Sequence, residues 1–151
     1  MDRADYAVEC FSNGYSCSQA VFTAYCEDYG IDKKLGLKLS CPLGGGMGHT
    51  GQVCGAVSGA LLVLGLKYGQ DDVEDKHSKT MNYLIVKDFI NRFKALNGST
   101  NCSELIQYDL SDDTQLASAR QAGVFKTKCC NYVSDVVKLL VEISSEYDNV
   151  K

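Results

Sequence analysis

Turn-forming proline is nearly missing from this chain: Pro42 is the only one in 151 residues. That excludes a loop-rich disulfide scaffold of the kind small secreted domains use, which needs turn residues throughout. A basic stripe is missing as well. Lys and Arg number 15 against 19 Asp and Glu, giving a formal net charge of -4 and a pI near 5.1. No Lys/Arg cluster offsets that balance, so a nucleic-acid partner is not expected. The longest apolar run, Ala56 to Leu66, falls short of the roughly 20 residues that span a bilayer, so no membrane insertion is expected. The N-terminal stretch MDRADYAVEC lacks a basic segment followed by an apolar core, so it does not read as a signal peptide. A cytoplasmic location is the corresponding expectation. Finally, no segment alternates with period two, which leaves an all-α fold.

Cysteine is abundant instead, with eight in the chain. In a reducing compartment thiols kept in such number act as ligands or redox groups, although a free cysteine also serves as a small core hydrophobe.

The stretch from Gly44 to Gly69, GGGMGHTGQVCGAVSGALLVLGLKYG, is a glycine-dense loop feeding an apolar helix with Cys54 near its start. Gly51, Gly55 and Gly59 recur every fourth residue, a bare stripe on a helix. Each Gly costs roughly 1 kcal/mol of helix propensity relative to Ala. A close backbone approach that fixes Cys54 is the compensating gain, with Thr50 as the expected cap and Gly69 as the stop.

Around this helix the spacing predicts others. The first covers 3–12 and stops at Asn13-Gly14. Ser16 with Gln19 forms a capping box for a helix from Cys17 to Tyr29, ended by Gly30. Asp32 caps a third, ended before Pro42. One long helix covers 72–96 with an acidic first turn, a short one runs from Cys102 to about Tyr108 behind Asn101 and Glu104, and Ser111 opens another over 112–122. Thr127 caps the last, from Lys128 to about Tyr147. The expected architecture is one domain over residues 1–151, an all-α single-domain bundle of about seven to eight helices around the central Gly-rich helix.

On this map Cys17, Cys102 and Cys129 fall in first turns, and Cys54 lies at or just after one. Amide groups and the dipole at a helix start stabilise a thiolate, so these four are expected to be activated. Cys10 and Cys26 sit toward helix ends, Cys41 precedes the proline, and Cys130 points about 100 degrees from Cys129. His49 beside the loop is either a ligand or proton shuttle or a solvated loop histidine. The loop lacks the Gly-Lys-Ser/Thr ending of a phosphate-binding P-loop.

The box Cys54-Gly55-Ala56-Val57-Ser58-Gly59, with Cys17 in Tyr15-Ser16-Cys17-Ser18-Gln19, Cys102 in Cys102-Ser103-Glu104-Leu105 and a cysteine before Tyr132-Val133, resembles the C_GCAxxG_C_C family of redox-active proteins. The likeness spans nearly the whole chain. It implies a helical redox domain with no assigned substrate, and it matches the fourth cysteine to Cys129, with Cys130 as the neighbouring alternative. Cys10, Cys26 and Cys41 lie outside the pattern.

Three chemistries suit Cys17, Cys54, Cys102 and Cys129 if they converge. Four thiolates can hold an iron-sulfur cluster for electron transfer, and four is the ligand count such clusters want. Cysteine pairs can cycle between dithiol and disulfide as an oxidoreductase. A structural zinc in an interaction domain also takes four sulfurs, though its ligands usually come in closely spaced pairs, unlike these. An enzyme and an electron carrier are both compatible with this set, and either requires an unidentified redox partner protein.

Overall fold

Short polar side chains close the first turn of most helices. Asp2 accepts from the Asp5 amide at the start of α1 (Arg3–Ser12), and Ser16 and Gln19 form a reciprocal capping box on α2 (Cys17–Thr23). Asp32 caps α3 (Lys33–Ser40) by accepting from the Leu35 amide. A single turn, α4 (Gly44–Met47), leads through a loop to the central α5 (Gly55–Tyr68), which is followed by the long α6 (Lys76–Asn97) capped by Asp75. Asn101 caps the five-residue α7 (Cys102–Ile106) and Asp112 caps α8 (Asp113–Ala122). A π-helical turn over Phe125–Cys129 runs directly into α9 (Cys130–Asp148). This computed structural model describes residues 1–149. Among them the only β-pairing is one isolated antiparallel bridge, Val53 opposite Asn101. The all-α reading therefore holds, with eight helices longer than one turn.

The core is built on α5. It packs against α2, α6 and α9, while α1 lies across α9 and α2. Phe22, Leu64, Phe89, Phe93, Val133, Val136 and Ile143 are fully buried between them. Such apolar burial supplies the main driving force for folding, about 1.5–3 kcal/mol for each large side chain. Among the described residues no helix is long and apolar enough to cross a membrane.

The glycine stripe serves the close approach, with one change of membership. A Cβ at Gly59 would lie 2.9 Å from the Ser18 carbonyl oxygen and 3.2 Å from Ser18 Cα, and one at Gly55 would lie 2.5 Å from Cys17 Sγ. These two positions let α5 touch the backbone of α2. Gly51 is not on the helix at all, since its φ of +70° places it in the loop. Thr50 does not cap α5 because its hydroxyl donates back to the Gly46 and Met47 carbonyls, and the helix instead starts after Cys54.

Several other boundaries move for tertiary reasons. The helix expected through Tyr29 breaks after Thr23: the Arg3 guanidinium donates to the Ala24 carbonyl and lies 4.6 Å from the centre of the Tyr25 ring, and a 3₁₀ turn over Cys26–Tyr29 follows. Asp72 closes a local turn onto the Glu74 amide, so α6 waits for Asp75. Ser111 binds Asp109 and leaves capping to Asp112. Gln107 is left-handed and ends α7 before Tyr108. Thr127 lies inside the π-turn, donating to the Gly123 carbonyl, so it caps nothing.

The α2–α5 contact makes opposite predictions for two glycines of one helix. Gly59→Ala should destabilise the protein in urea unfolding by about 1–3 kcal/mol, because its Cβ meets backbone that cannot rotate away. Gly65→Ala meets nothing within 4 Å, so it should stabilise by up to about 1 kcal/mol through helix propensity. Equal stabilisation by both would contradict the packing described.

Candidate functional site

Four separate elements deliver the four cysteines to one place. Cys17 is the first residue of α2, Cys54 immediately precedes α5, Cys102 opens α7 and Cys129 ends the π-turn. Together with Gly55, Leu105, Ile106 and Tyr132 they line a single small cavity. Its free volume is about 10 Å³, close to that of one water-sized sphere. Cys54, Cys102 and Cys129 are 5%, 8% and 9% exposed, so water scarcely reaches them.

Backbone pairing fixes the register between two of the contributors. The Cys54 amide donates to the Thr100 carbonyl and the Cys102 amide to the Gln52 carbonyl, on either side of the Val53–Asn101 bridge. Neighbouring Gly51 accepts from the Ser103 amide. On the opposite wall the Tyr132 hydroxyl donates to the Leu105 carbonyl at 3.0 Å, and its ring meets Phe93 edge-on at 6.1 Å. Tyr132 thereby ties α9 to α7 across the mouth of the cavity. Its role as a wall was not visible in sequence, where it served only to locate the last cysteine.

The glycine loop reaches the site through an unusual turn. Gly45, Gly46, Met47, Gly48 and His49 are all left-handed, with φ between +62° and +69°. Left-handed winding costs roughly 1–2 kcal/mol for each L-residue, here Met47 and His49. Hydrogen bonds offset it: the Gly48 amide donates to the Gly44 carbonyl, and the Gly51 and Gln52 amides donate to those of Gly45 and Gly46. The turn presents the Gly45 N–H to Cys17 Sγ, which also faces the amides of Ser18 and Ala56. Cys54 faces the amides of Val57 and Ala56.

These amides do not win. Burial is the larger effect at all four thiols, and it pushes every one of them up rather than down. Cys102, facing no amide, is pushed up to about 12, first by burial and then by the neighbouring Cys17. At Cys129 burial is followed by the charges of Cys17, Cys54 and Cys102. The expected activation by helix starts is therefore corrected for the free thiols, and for Cys129 the premise fails too, since π-turn and helix are continuous and leave no free amides there.

The remaining sequence candidates stand apart. Cys130 faces an outer groove beside Phe11 and Phe125 and donates its thiol to the Lys126 carbonyl, so Cys129 is the one that joins the other three. Cys10 is buried in the core near the Thr23 hydroxyl, Cys26 is buried against Gly36, and Cys41 is exposed. His49 is exposed, with its ring folded over Gly45, and does not line the cavity. All eight cysteines are unpaired thiols. Among the described residues no three His, Cys, Asp or Glu side chains stand ready as a metal-holding group.

Buried thiols set a pH dependence whose sign follows directly. Their folded pKa values exceed those of the unfolded chain, so their contribution is complete below the ordinary thiol pKa and is lost as pH rises through the folded values. Stability of the reduced, metal-free protein should fall from about pH 9 upward, by about 1.4 kcal/mol per pH unit for each buried thiol. Cys102→Ser should flatten that slope by about one proton in denaturant titrations at several pH values. An unchanged slope would contradict the burial of Cys102 as a neutral thiol.

No curated protein and no solved structure matches the chain. One family model does, over residues 15–143, and its description reads "Putative redox-active protein (C_GCAxxG_C_C)". The match takes in all four cavity cysteines and the glycine turn. The chain therefore belongs to the C_GCAxxG_C_C family of redox-active proteins.

Proposed function

We propose that the protein is an electron carrier in which Cys17, Cys54, Cys102 and Cys129 hold an iron-sulfur centre. The observation that supports this is the convergence of four thiols from four separate elements, three of them on buried residues and Cys17 half-buried, on one apolar cavity. Left free, these thiols are kept protonated by burial and by one another. A protonated, buried thiol is a slow nucleophile, which weighs against exchange with external disulfides. A cation at the focus of the four reverses both effects, since ligation displaces the protons and turns mutual repulsion into shared attraction. Thiolate-bound iron supplies one-electron chemistry.

The chain's own groups do the rest. Amides of Gly45, Ser18 and Ala56 at Cys17, and of Ala56 and Val57 at Cys54, offset thiolate charge on the α2–α5 side. Leu105, Ile106 and Tyr132 exclude water on the other. Donor type and number fit a four-thiolate centre. The volume of about 10 Å³ fits a single ion, and a polynuclear cluster requires the short α7 wall to stand further out.

A second reading is thiol-disulfide cycling, which the lining of one cavity by four free thiols also supports. Structural zinc is the weakest of the three, as the ligands are single and far apart in sequence. Electron transfer in either redox reading requires a partner redox protein as donor or acceptor.

Replacing each of Cys17, Cys54, Cys102 and Cys129 singly by Ser should lower the iron content of anaerobically purified protein in all four variants, while Cys26→Ser leaves it unchanged. Iron-free wild-type protein whose thiol count falls by two or four on mild oxidation would instead establish the disulfide reading, with the four variants dividing into two matched pairs.

A further inference from the structure

The left-handed turn touches both halves of the site with consecutive residues. Gly45 directs its N–H at Cys17 Sγ. Gly46 stands against the other half: a Cβ there would lie 2.7 Å from Cys102 Cβ, 2.6 Å from the Gln52 nitrogen and 2.9 Å from the Gly51 carbonyl carbon. None of those atoms is the far end of a flexible side chain, so none can swing aside. Amides of Gly51 and Gln52 donate back to the turn, and amides of Ser103 and Cys102 donate to Gly51 and Gln52. Position 46 is thus connected rigidly to α7.

From this geometry we propose that Gly46 is a positioning residue, its missing side chain setting how far Cys102 stands from Cys17 across the cavity. The left-handed path brings residue 45 to Cys17 while residue 46 leaves room for Cys102. This deepens the four-cysteine reading, since Cys17 and Cys54 sit on the tightly packed α2–α5 pair, whereas Cys102 is carried by a five-residue helix. The spacing of the site is then adjustable on the α7 side, and Gly46 is its stop.

Gly48 provides the matched control. It shares the left-handed conformation, with φ +65° against +69°, but its nearest crowding atom is the Pro42 carbonyl oxygen at 4.0 Å. Gly46→Ala and Gly48→Ala therefore impose similar backbone strain, and only the first imposes a contact on Cys102. The direct readout is residue-resolved alkylation of reduced, metal-free protein under native conditions. Gly46→Ala should label Cys102 at least about tenfold faster than wild type, a larger gain than at Cys17, Cys54 or Cys129, while Gly48→Ala leaves Cys102 within about twofold of wild type. A second readout is anaerobic titration with cobalt(II), where wild type and Gly48→Ala should give the same thiolate-to-metal absorption. Gly46→Ala should give a weaker band, with Cys102 open to alkylation in the loaded form.

Should Gly46→Ala fail to fold, Gly46→Asn carries the same Cβ in a residue that tolerates left-handed backbone, with Gly48→Asn as its partner and the same expected outcomes. Cys102 labelled at the wild-type rate in the position-46 variant, or equally accelerated by the position-48 variant, would overturn the proposal. The alkylation test needs no metal, so wild-type protein that takes up neither cobalt nor iron would count against the iron reading and leave this one standing.

Discussion

The contact between the start of α2 and the glycine face of α5 is the constraint on which the rest depends. It leaves no room for a Cβ between Gly55 and Cys17 Sγ or between Gly59 and the Ser18 backbone, an approach that any side chain would prevent. From it follow the placing of Cys17 and Cys54 in one cavity and the amides that face both sulfurs, with α7 and the π-turn supplying the other two cysteines. The cost is a central helix with glycines in its body, which helix propensity disfavours by roughly 1 kcal/mol each. The return is a pair of thiols carried by two closely packed elements.

Around that fixed pair the site is asymmetric. Cys17 and Cys54 face backbone N–H groups, whereas burial and the neighbouring thiols are what act on Cys102 and Cys129. One half is prepared to carry negative charge and the other is not. In the free protein desolvation dominates both halves and the thiols stay neutral. The site thus acquires charge only when a cation displaces its protons, whereas oxidation of a cysteine pair to a disulfide releases two electrons and two protons to an acceptor and leaves it neutral.

Much of this was legible in sequence. The Ser16–Gln19 box, the caps at Asp32 and Asn101 and the spacing of apolar residues in α6 and α9 identify the helices, because caps and amphipathic faces are local. Cys17, Cys54, Cys102 and Cys129 stand out for the same reason, each beside a helix start or a glycine box. What could not be read is non-local. The break at Ala24 depends on Arg3, 21 residues away, and the Val53–Asn101 bridge joins segments too short to alternate. The left-handed run through Met47 and His49 goes against the preference of both residues and is held by hydrogen bonds from the loop that follows. The sign of the thiol shifts is not legible in sequence, because helix-start amides are visible there while the desolvation that outweighs them exists only in the packed chain.

X-ray absorption at the iron edge of anaerobically reconstituted protein tests the central claim most directly, since it counts the iron's own neighbours. Four sulfur scatterers per iron at about 2.3 Å, the ordinary metal-thiolate distance, are expected, with no nitrogen or oxygen ligand. A shell dominated by oxygen or nitrogen, or one that keeps all four sulfurs after Cys54→Ser, would contradict it.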